Sequence, residues 1–566
     1  MSQRTMAMEY DLIVVGSGAA GLTAACVAAA QGSSVLLLEQ SAHVGGTTAI
    51  SGGMVWIPDN HKMAGAGRAD SPQAVRAYLA HTVRSTAPER LEAYLAYSDE
   101  ALRFLEAHTA LRMRPVANYP DYYPDLPGAT LGGRVLEPEP YDARTLGERF
   151  TLLRDPLPEF MLWGGMMVSR QDLPHLRRAA RSLRSALYVG RLLLRHGLQR
   201  LRAHRGTTLY LGNALAGRLL QSALDLGVDI RTRATVLELL REDGRVRGVR
   251  ATLDAGAAQV LRARQGVVLA TGGLSHDAAL RSRYVPAHAG TLSATVDPGR
   301  APRGARLAQA AGGTLSLPTE QGAFWVPAST FTRRDGSRGI FPHTVTDRAK
   351  PGLIAVDQGG HRFVNEAVSY HEFVRAQLAR GMAATPAFLL CDRRFLWKYG
   401  LGRVRPFALD LSADLASGYL RRAGSIAGLA VALGLTAGAL EATVEAFNRD
   451  AREGRDTAFG RGTNAYQRHL GDADHAPNPC VAPIESAPFY AVAVHPADLG
   501  MSCGIATDAH ARVLAADGQP VPGLYACGND MASVMEGAYP GPGITLGPAM
   551  TFGYIAARHA GAAPAA

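Results

Sequence analysis

The chain opens with a pattern of glycines and one acid that could bind a dinucleotide. In 10-YDLIVVGSGAAGLTAACVAAAQGSSVLLLEQ-40, an apolar run predicts a buried strand that leads into Gly16-Ser17-Gly18-Ala19-Ala20-Gly21 and an Ala-rich helix. A second predicted strand ends at Glu39 and Gln40, with the acid eighteen residues after Gly21. Small residues let backbone amides approach a pyrophosphate at the helix N-terminus, and the carboxylate can accept ribose hydroxyls. In this strand–helix context, the spacing predicts a dinucleotide site.

Later segments favour a flavin dinucleotide over a nicotinamide one. The loop 44-VGGTTAISGGMVW-56 follows the second strand and can wrap a pyrophosphate and ribitol with N–H groups and hydroxyls. The segments 265-QGVVLATGG-273 and 519-QPVPGLYACGND-530 each predict another strand ending in small residues. We expect FAD contacts here from Gly45, Gly46, Thr47, Thr48, Ser51, Gly52, Gly53, Val236, Ala270, Thr271, Gly272, Gly528, Asn529, Thr545 and Leu546.

The spread of these strands predicts the domain organisation. A chain of 566 residues exceeds what one core usually supports. Strands at both ends imply one α/β, Rossmann-like FAD-binding domain built from residues 1–329 and 497–566. Residues 330–496 would then be an inserted α+β cap domain, with the substrate bound between the two domains.

Composition narrows the class of protein. The five cysteines are scattered without Cys-x-x-Cys spacing, which indicates a reducing compartment, and no His/Cys grouping predicts a metal site. The N-terminus shows no apolar leader, and no segment has the roughly eighteen apolar residues of a membrane span. We therefore expect a cytoplasmic protein, associated with the inner face of the membrane if its basic segment binds lipid.

That basic segment is 170–205, which has ten Arg and one acid in a chain whose formal net charge is +10. Leucines at steps of three and four predict one amphipathic helix over 173–202, inside a helical excursion of the FAD domain at 150–206. An anionic membrane surface would fit such a helix. The alternative is a helix packed on its own domain, and nucleic acid is disfavoured because no recognition motif accompanies the charge.

Two further segments point to a chemistry. The loop 537-GAYPGPGITLGPAM-550 has one tyrosine and no ionisable group near neutral pH, and 359-GGHRFVNEAVSYHEF-373 contains a second tyrosine. The motifs GSGAAG, GGTTAISGG, ATGG and GLYACGN resemble the fumarate reductase/succinate dehydrogenase flavoprotein superfamily. Within it, the two segments with tyrosines resemble the 3-ketosteroid Δ1-dehydrogenases. The resemblance covers nearly the whole chain and is weakest at 150–206.

The resemblance implies roles for particular residues. Tyr370 would be the base that removes an α proton, and the Tyr539 hydroxyl and Gly543 N–H would hold the ketone oxygen. A second tyrosine from 119-YPDYYPDLPG-128 would assist the base; the Pro-Asp-Tyr element selects Tyr122, although Tyr119 and Tyr123 stay open. Predicted pocket residues are Tyr119, Ser51, Phe324 and Trp325, the last two being equally typical of core packing. Covalent members use a histidine where this chain has Thr47-Thr48-Ala49, so FAD is expected to bind non-covalently.

The function expected from the sequence is FAD-dependent Δ1-dehydrogenation of a 3-oxosteroid. The charge-free loop argues against fumarate or succinate, because a buried dicarboxylate needs cations. A smaller cyclic ketone is the main alternative substrate, and a non-catalytic flavoprotein at a membrane surface is a remote one. A membrane-borne quinone is the expected electron acceptor.

Overall fold

A computed structural model describes residues 8–169, 172–179, 181–254, 256–297, 299, 304–316 and 322–562. Its largest sheet has eight strands, and the five central ones are parallel. In spatial order they are Pro520–Ala526, Ala258–Leu269, Met8–Val15, Val35–Leu38 and Asp229–Arg231. Arg512–Leu514 pairs antiparallel at one edge, while Ala234–Glu242 and Arg245–Leu253 extend Ala258–Leu269 as a meander. The prediction of an α/β fold assembled from distant segments is confirmed.

Helices cover this sheet and place the glycine-rich loops at its edge. Ala19–Ala30 packs against Leu211–Asp225 and Leu546–Ala562. It approaches Leu546–Ala562 closely at Gly553, where a Cβ would lie 2.6 Å from the Ala20 carbonyl oxygen. The remaining α-helices described before residue 330 are Pro72–Thr82, Pro88–His108, Asp172–Arg178, Leu183–Arg200, Ala278–Arg281 and Gly304–Ala310. Short strand pairings join Val55–Trp56, Val135–Pro138 and Met113–Pro115, Tyr141–Asp142 with Thr208–Leu209, and Leu315–Ser316 with Gly504–Ile505.

A second, six-stranded sheet supports the predicted cap. Its strands are Arg338–Pro342, Ala323–Thr332, Phe489–Met501, Ala387–Asp392, Leu353–Val356 and Arg421–Ala423. Its helices are Tyr370–Ala379, Arg393–Tyr399, Ser412–Ala416, Ile426–Leu433, Ala437–Arg452 and Ala465–Leu470. The boundaries expected at 329/330 and 496/497 fall inside two paired strands of this sheet, and the division into domains stays a prediction.

The basic segment folds as two helices instead of one. Asp172–Arg178 and Leu183–Arg200 are separated by Ser182, whose hydroxyl accepts a hydrogen bond from Ser185 N and so begins the second helix. The prediction of one helix over 173–202 is therefore wrong at this break, while Arg170, Gln171 and Ala180 lie outside the described residues. None of the helices in the described ranges is both long and apolar enough to cross a membrane.

Candidate active site

The first glycine-rich loop is built for close backbone approach. Gly16 has a φ of +105°, and a Cβ there would lie 2.1 Å from the Ala270 carbonyl oxygen, so no other residue fits. The helix Ala19–Ala30 begins after Gly18, which offers no side-chain cap. Its first amide, Ala19 N, donates to Thr48 Oγ1 at 2.9 Å. A helix N-terminus of this kind offers backbone amides to a pyrophosphate, so this is where we expect the cofactor phosphates to bind.

Glu39 is held rigidly at the end of the second strand. Its Oε2 accepts hydrogen bonds from the Ser17 amide at 3.1 Å and hydroxyl at 2.5 Å, and its Oε1 accepts one from Ser41 N at 2.8 Å. A carboxylate has about four acceptor positions, so it retains capacity for a ribose hydroxyl. The neighbouring Gln40 Nε2 is buried and has no hydrogen-bond partner within the described ranges. The Gln40 amide, which lacks an acceptor, lies next in sequence to the fixed Glu39 carboxylate, and this pair could hydrogen-bond to a polar ligand.

The second loop packs directly onto the first. Gly45 N donates to the Ser17 carbonyl and hydroxyl oxygens, both at 3.1 Å. Gly46 has a φ of +48°, and Gly52 has open space where a Cβ would stand. Gly53 differs, because its Cβ would lie 2.4 Å from Gly212 N, which makes it a packing residue against a helix start. Gly45 and Thr48 therefore contact the first loop directly, and the cofactor contacts expected of the other residues at 45–53 stay a prediction.

Asp530, which the sequence patterns did not select, joins the two remaining cofactor segments. Thr271 Oγ1 and Gly273 N both donate to Asp530 Oδ1 at 2.9 Å, so the segments that begin with Ala270 and Gly528 are held together. Burial raises the pKa of Asp530, and the hydrogen bonds from Thr271 and Gly273 oppose that shift. Gly272 lies between the donors with a φ of +106° and open space around it. Such a joined edge of glycines and amides fits a flavin dinucleotide.

Three predicted tyrosines contact one another although they come from distant parts of the chain. Tyr370 is the first residue of helix Tyr370–Ala379, which Ser369 caps by accepting a hydrogen bond from Glu372 N. The Tyr370 hydroxyl donates to the Tyr539 hydroxyl at 2.8 Å. The Tyr122 ring stacks on Tyr539 with centroids 5.5 Å apart and meets Tyr370 edge-on at 5.8 Å. Residues from three distant segments thus form one buried cluster.

The cluster is electrically neutral near pH 7. Burial is the main cause that raises the pKa of Tyr370, Tyr122 and Tyr539 above the ordinary tyrosine value. Neutral phenols are hydrogen-bond donors, which suits an uncharged oxygen acceptor. Tyr370 can act as a base only after its own proton has moved elsewhere.

The loop that carries Tyr539 is fixed from several sides. Tyr78 OH and Tyr122 N both donate to the Pro540 carbonyl, at 2.6 and 3.0 Å. Gly543 has a φ of +96°, and its Cβ would stand 2.5 Å from the Met54 carbonyl oxygen. The Gly543 N–H donates to no other described residue. A hydroxyl and an unpaired amide on one rigid loop are typical of a site that stabilises negative charge on an oxygen.

The other predicted pocket residues lie at different places. Phe324 meets the Tyr539 ring edge-on with centroids 5.6 Å apart, whereas Trp325 is fully buried in the same strand, and its pocket role stays a prediction.

The ring of Tyr119, the first of the three candidate tyrosines at 119–123, contacts the His469 ring with centroids 4.6 Å apart. Tyr123 turns to Glu372, to which its hydroxyl donates at 2.8 Å. Of the three candidate tyrosines, only Tyr122 has its ring against both Tyr370 and Tyr539 in the ring contacts described. The Ser51 hydroxyl donates to the Thr48 carbonyl at 2.8 Å.

The sequence patterns missed three residues beside the cluster. The Tyr466 ring lies 4.7 Å from Tyr122 and is buried. Trp56 N donates to the Gly543 carbonyl at 3.2 Å, so it helps to hold the loop. His371 is buried, and desolvation together with Arg375 lowers its pKa to about 3, so it is neutral at physiological pH. Trp56 and His371 lie inside segments that the sequence analysis singled out for other residues, whereas Tyr466 belongs to none of the motifs. In each case the role depends on a tertiary contact and not on a local pattern.

Comparisons with known proteins place the chain among flavoproteins. A family model described as an FAD binding domain matches residues 11–546. The 4-oxocyclohex-2-ene-1-carboxylate 5-dehydrogenase of Sinomonas cyclohexanicum is 39% identical, over 97% of this chain and 93% of the relative. The 3-oxosteroid 1-dehydrogenase of Mycobacterium tuberculosis is 38% identical, over 97% and 98%. A crystal structure of the Sterolibacterium denitrificans 3-ketosteroid Δ1-dehydrogenase with 1,4-androstadiene-3,17-dione is 37% identical, covers 98% of this chain and 99% of its own, and has a TM-score of 0.90.

Proposed function

The chain belongs to this FAD-binding domain family, and from that membership and the site geometry we propose that it is an FAD-dependent 3-oxosteroid Δ1-dehydrogenase. It would introduce a C1–C2 double bond into a 3-ketosteroid. The observation that carries the proposal is the pair of hydroxyls of Tyr370 and Tyr539, which lie 2.8 Å apart. Tyr539 shares its loop with Gly543, whose N–H donates to no residue among those described. A base next to two oxygen-directed donors is what α-proton removal from a ketone requires.

The two donors make the α proton acidic. As the proton leaves C2, negative charge develops on the C3 oxygen, and the Tyr539 hydroxyl and Gly543 N–H stabilise it there. Both donors are preorganised by the fixed loop, so no reorganisation is needed during the reaction. Because the carbonyl oxygen and the α carbon are joined to one carbonyl carbon, base and donor must be neighbours, as Tyr370 and Tyr539 are.

The cofactor and the other two tyrosine positions have separate roles in the proposed reaction. Bound FAD supplies the flavin N5 that accepts the hydride from C1. Tyr370 holds the C2 proton on its phenol oxygen, and Tyr122 lies against its ring as the proposed assistant. The buried position of the tyrosines limits water around the reacting carbons, which strengthens the stabilisation of the charge that develops on the ketone oxygen.

The substrate is proposed to be neutral and mostly apolar. The loop at 537–550 contains no cation, and a buried carboxylate without one would be strongly disfavoured. A smaller cyclic ketone remains the second candidate, because relatives at 39% and 36% identity are named for oxocyclohexane-type substrates. Those relatives act on carboxylates, so this chain would need a cation that the 537–550 loop does not supply.

Anaerobic titration while flavin absorbance is followed tests the proposal. The purified FAD-loaded enzyme should be bleached by a 3-ketosteroid and much more slowly by cyclohexanone-type ketones. Tyr370→Phe should abolish fast bleaching, whereas Tyr399→Phe, which removes a buried hydroxyl elsewhere in the cap, should behave as the parent. Faster bleaching by the small ketone would establish the second candidate, and no bleaching by either would indicate the non-catalytic flavoprotein.

We propose further that helix Leu183–Arg200 docks on an anionic membrane surface. The helix packs on the protein through Ser185, Val189, Leu192 and His196, while its leucine stripe points away. The exposed leucines of the stripe are Leu183 at 78%, Leu187 at 66%, Leu194 at 67%, Leu198 at 59% and, just after the helix, Leu201 at 80%; Leu193 is also exposed, at 39%. Such a contiguous apolar face is unusual on a monomer exposed only to water. The alternative expected from the sequence is a helix packed on its own domain with a solvated basic face. The helix does pack through the four buried residues named above, and the exposed leucines favour the membrane proposal.

Charge around the stripe favours lipid as its occupant. The described arginines next to it are exposed, namely Arg184, Arg191, Arg195, Arg200 and Arg202. Leucines at the acyl boundary and arginines at phosphate headgroups form a complementary surface. Docking there would place the enzyme at the inner face of the membrane, near a quinone that could serve as the proposed electron acceptor.

Vesicle sedimentation tests the docking. The protein should bind vesicles containing phosphatidylglycerol more tightly than pure phosphatidylcholine vesicles. Leu187→Gln with Leu194→Gln should weaken that binding about tenfold or more, since each buried leucine contributes about 1.5–3 kcal/mol. Leu409→Gln, at an exposed leucine elsewhere, is the matched control. Equal binding by the double variant and the control would contradict lipid docking.

A further inference from the structure

Arg154 lies beside the turn that follows the second strand of the large sheet. It belongs to the segment at 150–206, where the resemblance of the sequence to known flavoproteins is weakest. The Arg154 Nη2 donates a hydrogen bond to Ser41 Oγ at 3.0 Å. Ser41 N in turn donates to Glu39 Oε1 at 2.8 Å, so one residue links the guanidinium to the carboxylate expected to accept ribose hydroxyls. The guanidinium therefore lies where the adenosine end of a dinucleotide is expected.

The backbone of Arg154 is fixed by the second glycine-rich loop and by a neighbouring helix. Arg154 N donates to the Val44 carbonyl at 2.9 Å, at the start of that loop. Asn213 is fully buried in the helix Leu211–Asp225, and its Nδ2 donates to the Arg154 carbonyl at 2.8 Å and to the Ala49 carbonyl at 3.2 Å. One buried amide thus holds Arg154 and the cofactor loop against the same helix.

Two nitrogen donors in this region lack an acceptor on the protein. Arg154 Nε and Gln40 Nε2 hydrogen-bond to nothing within the described ranges, and both atoms are buried. An arginine side chain has five N–H donors in a planar fork and stays charged inside proteins. An unsatisfied buried donor of this kind is costly, so a ligand atom that accepts from it gains binding free energy.

The charges near Arg154 fit an adenosine as that ligand. Burial lowers the pKa of Arg154, and the carboxylate of Glu39 opposes the shift, so the two charged groups act on each other. Ribose hydroxyls can donate to a carboxylate, while ribose oxygens and the ring nitrogens of adenine accept from a guanidinium. The plane of a guanidinium can also stack on an aromatic base.

We propose that Arg154 is a cofactor-binding residue that recognises the adenosine moiety of FAD, to which its Nε–H donates a hydrogen bond. Glu39 and Arg154 then hold the same moiety from an acceptor and a donor. The glycine-rich fingerprint does not include this arginine, which comes from a segment far along the chain. The role concerns cofactor binding, so it does not depend on which ketone the enzyme oxidises.

Dilution of the FAD-loaded enzyme, followed by the fluorescence of released FAD, tests the role. Arg154→Met keeps an apolar stem and removes every N–H donor, whereas Arg154→Lys keeps the charge and removes the planar fork. The Kd for FAD should rise about tenfold or more in Arg154→Met, the scale of one lost hydrogen bond to a charged group, and less in Arg154→Lys. Arg149→Met, at an exposed arginine just before the segment, is the control and should bind FAD as the parent does.

Competition with ADP, which has the adenosine and lacks the flavin, locates the contact. Added ADP should displace FAD from the parent, and in Arg154→Met the Kd for ADP should rise by the same factor as the Kd for FAD. Equal FAD binding by Arg154→Met and Arg149→Met would overturn the proposal. Weaker FAD binding with unchanged ADP binding would also overturn it, because the lost contact would then lie outside the adenosine.

A crystal structure of the FAD-loaded parent tests the same contact without a variant, and it decides the question if Arg154→Met does not fold. Arg154 Nε should lie within hydrogen-bonding distance of an adenosine oxygen or nitrogen. An Nε that hydrogen-bonds only to protein atoms or water would overturn the proposal.

Discussion

Replacing Tyr539 by Phe removes one oxygen-directed donor and almost nothing else. The ring keeps its contacts with Tyr122, Phe324 and Tyr370 at centroid distances of 5.5, 5.6 and 5.2 Å. Among the residues that the structure describes, the hydrogen bond lost is the one that Tyr539 accepts from Tyr370 at 2.8 Å. The change therefore acts on charge stabilisation at the ketone oxygen, with little effect on packing.

The magnitude follows from the number of donors. With Gly543 N–H still present, loss of one of two preorganised donors should cost about 2.7–4 kcal/mol, or about 10²–10³ in the limiting rate of flavin reduction. The orphaned Tyr370 hydroxyl should lower the free energy of unfolding by about 1–3 kcal/mol, which thermal unfolding would register as a modest decrease in Tm. FAD content should be unchanged.

The assay is anaerobic stopped-flow reduction with a saturating 3-ketosteroid, beside Tyr399→Phe as the control for hydroxyl removal. The reasoning would be refuted if the limiting rate of flavin reduction in Tyr539→Phe were within about threefold of the parent rate, since loss of an oxyanion donor lowers the rate far more than that. A large loss in Tyr399→Phe as well would mean that hydroxyl removal acts through the fold.

Three more predictions follow from the geometry. The limiting rate of flavin reduction should rise about tenfold per pH unit between neutral pH and about 9, because burial raises the pKa of Tyr370 and the phenolate fraction grows with pH; a flat profile would contradict a tyrosine base. Gly16→Ala should purify without FAD and with lower Tm, because its Cβ would lie 2.1 Å from the Ala270 oxygen at a φ of +105°; normal FAD content would exclude the close approach. His371 has a folded-state pKa of about 3 against an ordinary 6.5, so the unfolded chain binds the extra proton as pH falls below 6.5, and stability should drop by about 2 kcal/mol by pH 5. Chemical unfolding of His371→Gln should show a correspondingly weaker pH dependence, and an unchanged slope would refute this origin.

Residues whose role depends on local spacing could be predicted from the sequence. Gly16, Gly18 and Glu39 are separated by one strand, one turn and one helix, so their meeting at the sheet edge follows from secondary structure alone. Tyr370 and Tyr539 lie 169 residues apart and were selected only by resemblance to a known family. Hydrophobic periodicity and local motifs do not predict a contact between two side chains so far apart in the sequence.

Other features depend on tertiary contacts that no local pattern encodes. Asp530 and Tyr466 are isolated residues that become important only because distant segments surround them. In the basic segment, the period of the leucines was predictable, but the helix start at Ser182 was not. Amphipathic helices usually bury their apolar stripe, and here Val189 and Leu192 on another face pack instead, which leaves Leu194 exposed.

The most direct test of the central claim is a single anaerobic turnover with a 3-ketosteroid that carries deuterium at C1 and C2. The account predicts a 1-ene product that has lost one deuterium from each carbon, with stoichiometric reduction of FAD, and loss of this reaction in Tyr370→Phe. Reduction of flavin with both labels retained, or a double bond at another position, would contradict removal of the C2 proton by Tyr370 and of the C1 hydride by FAD.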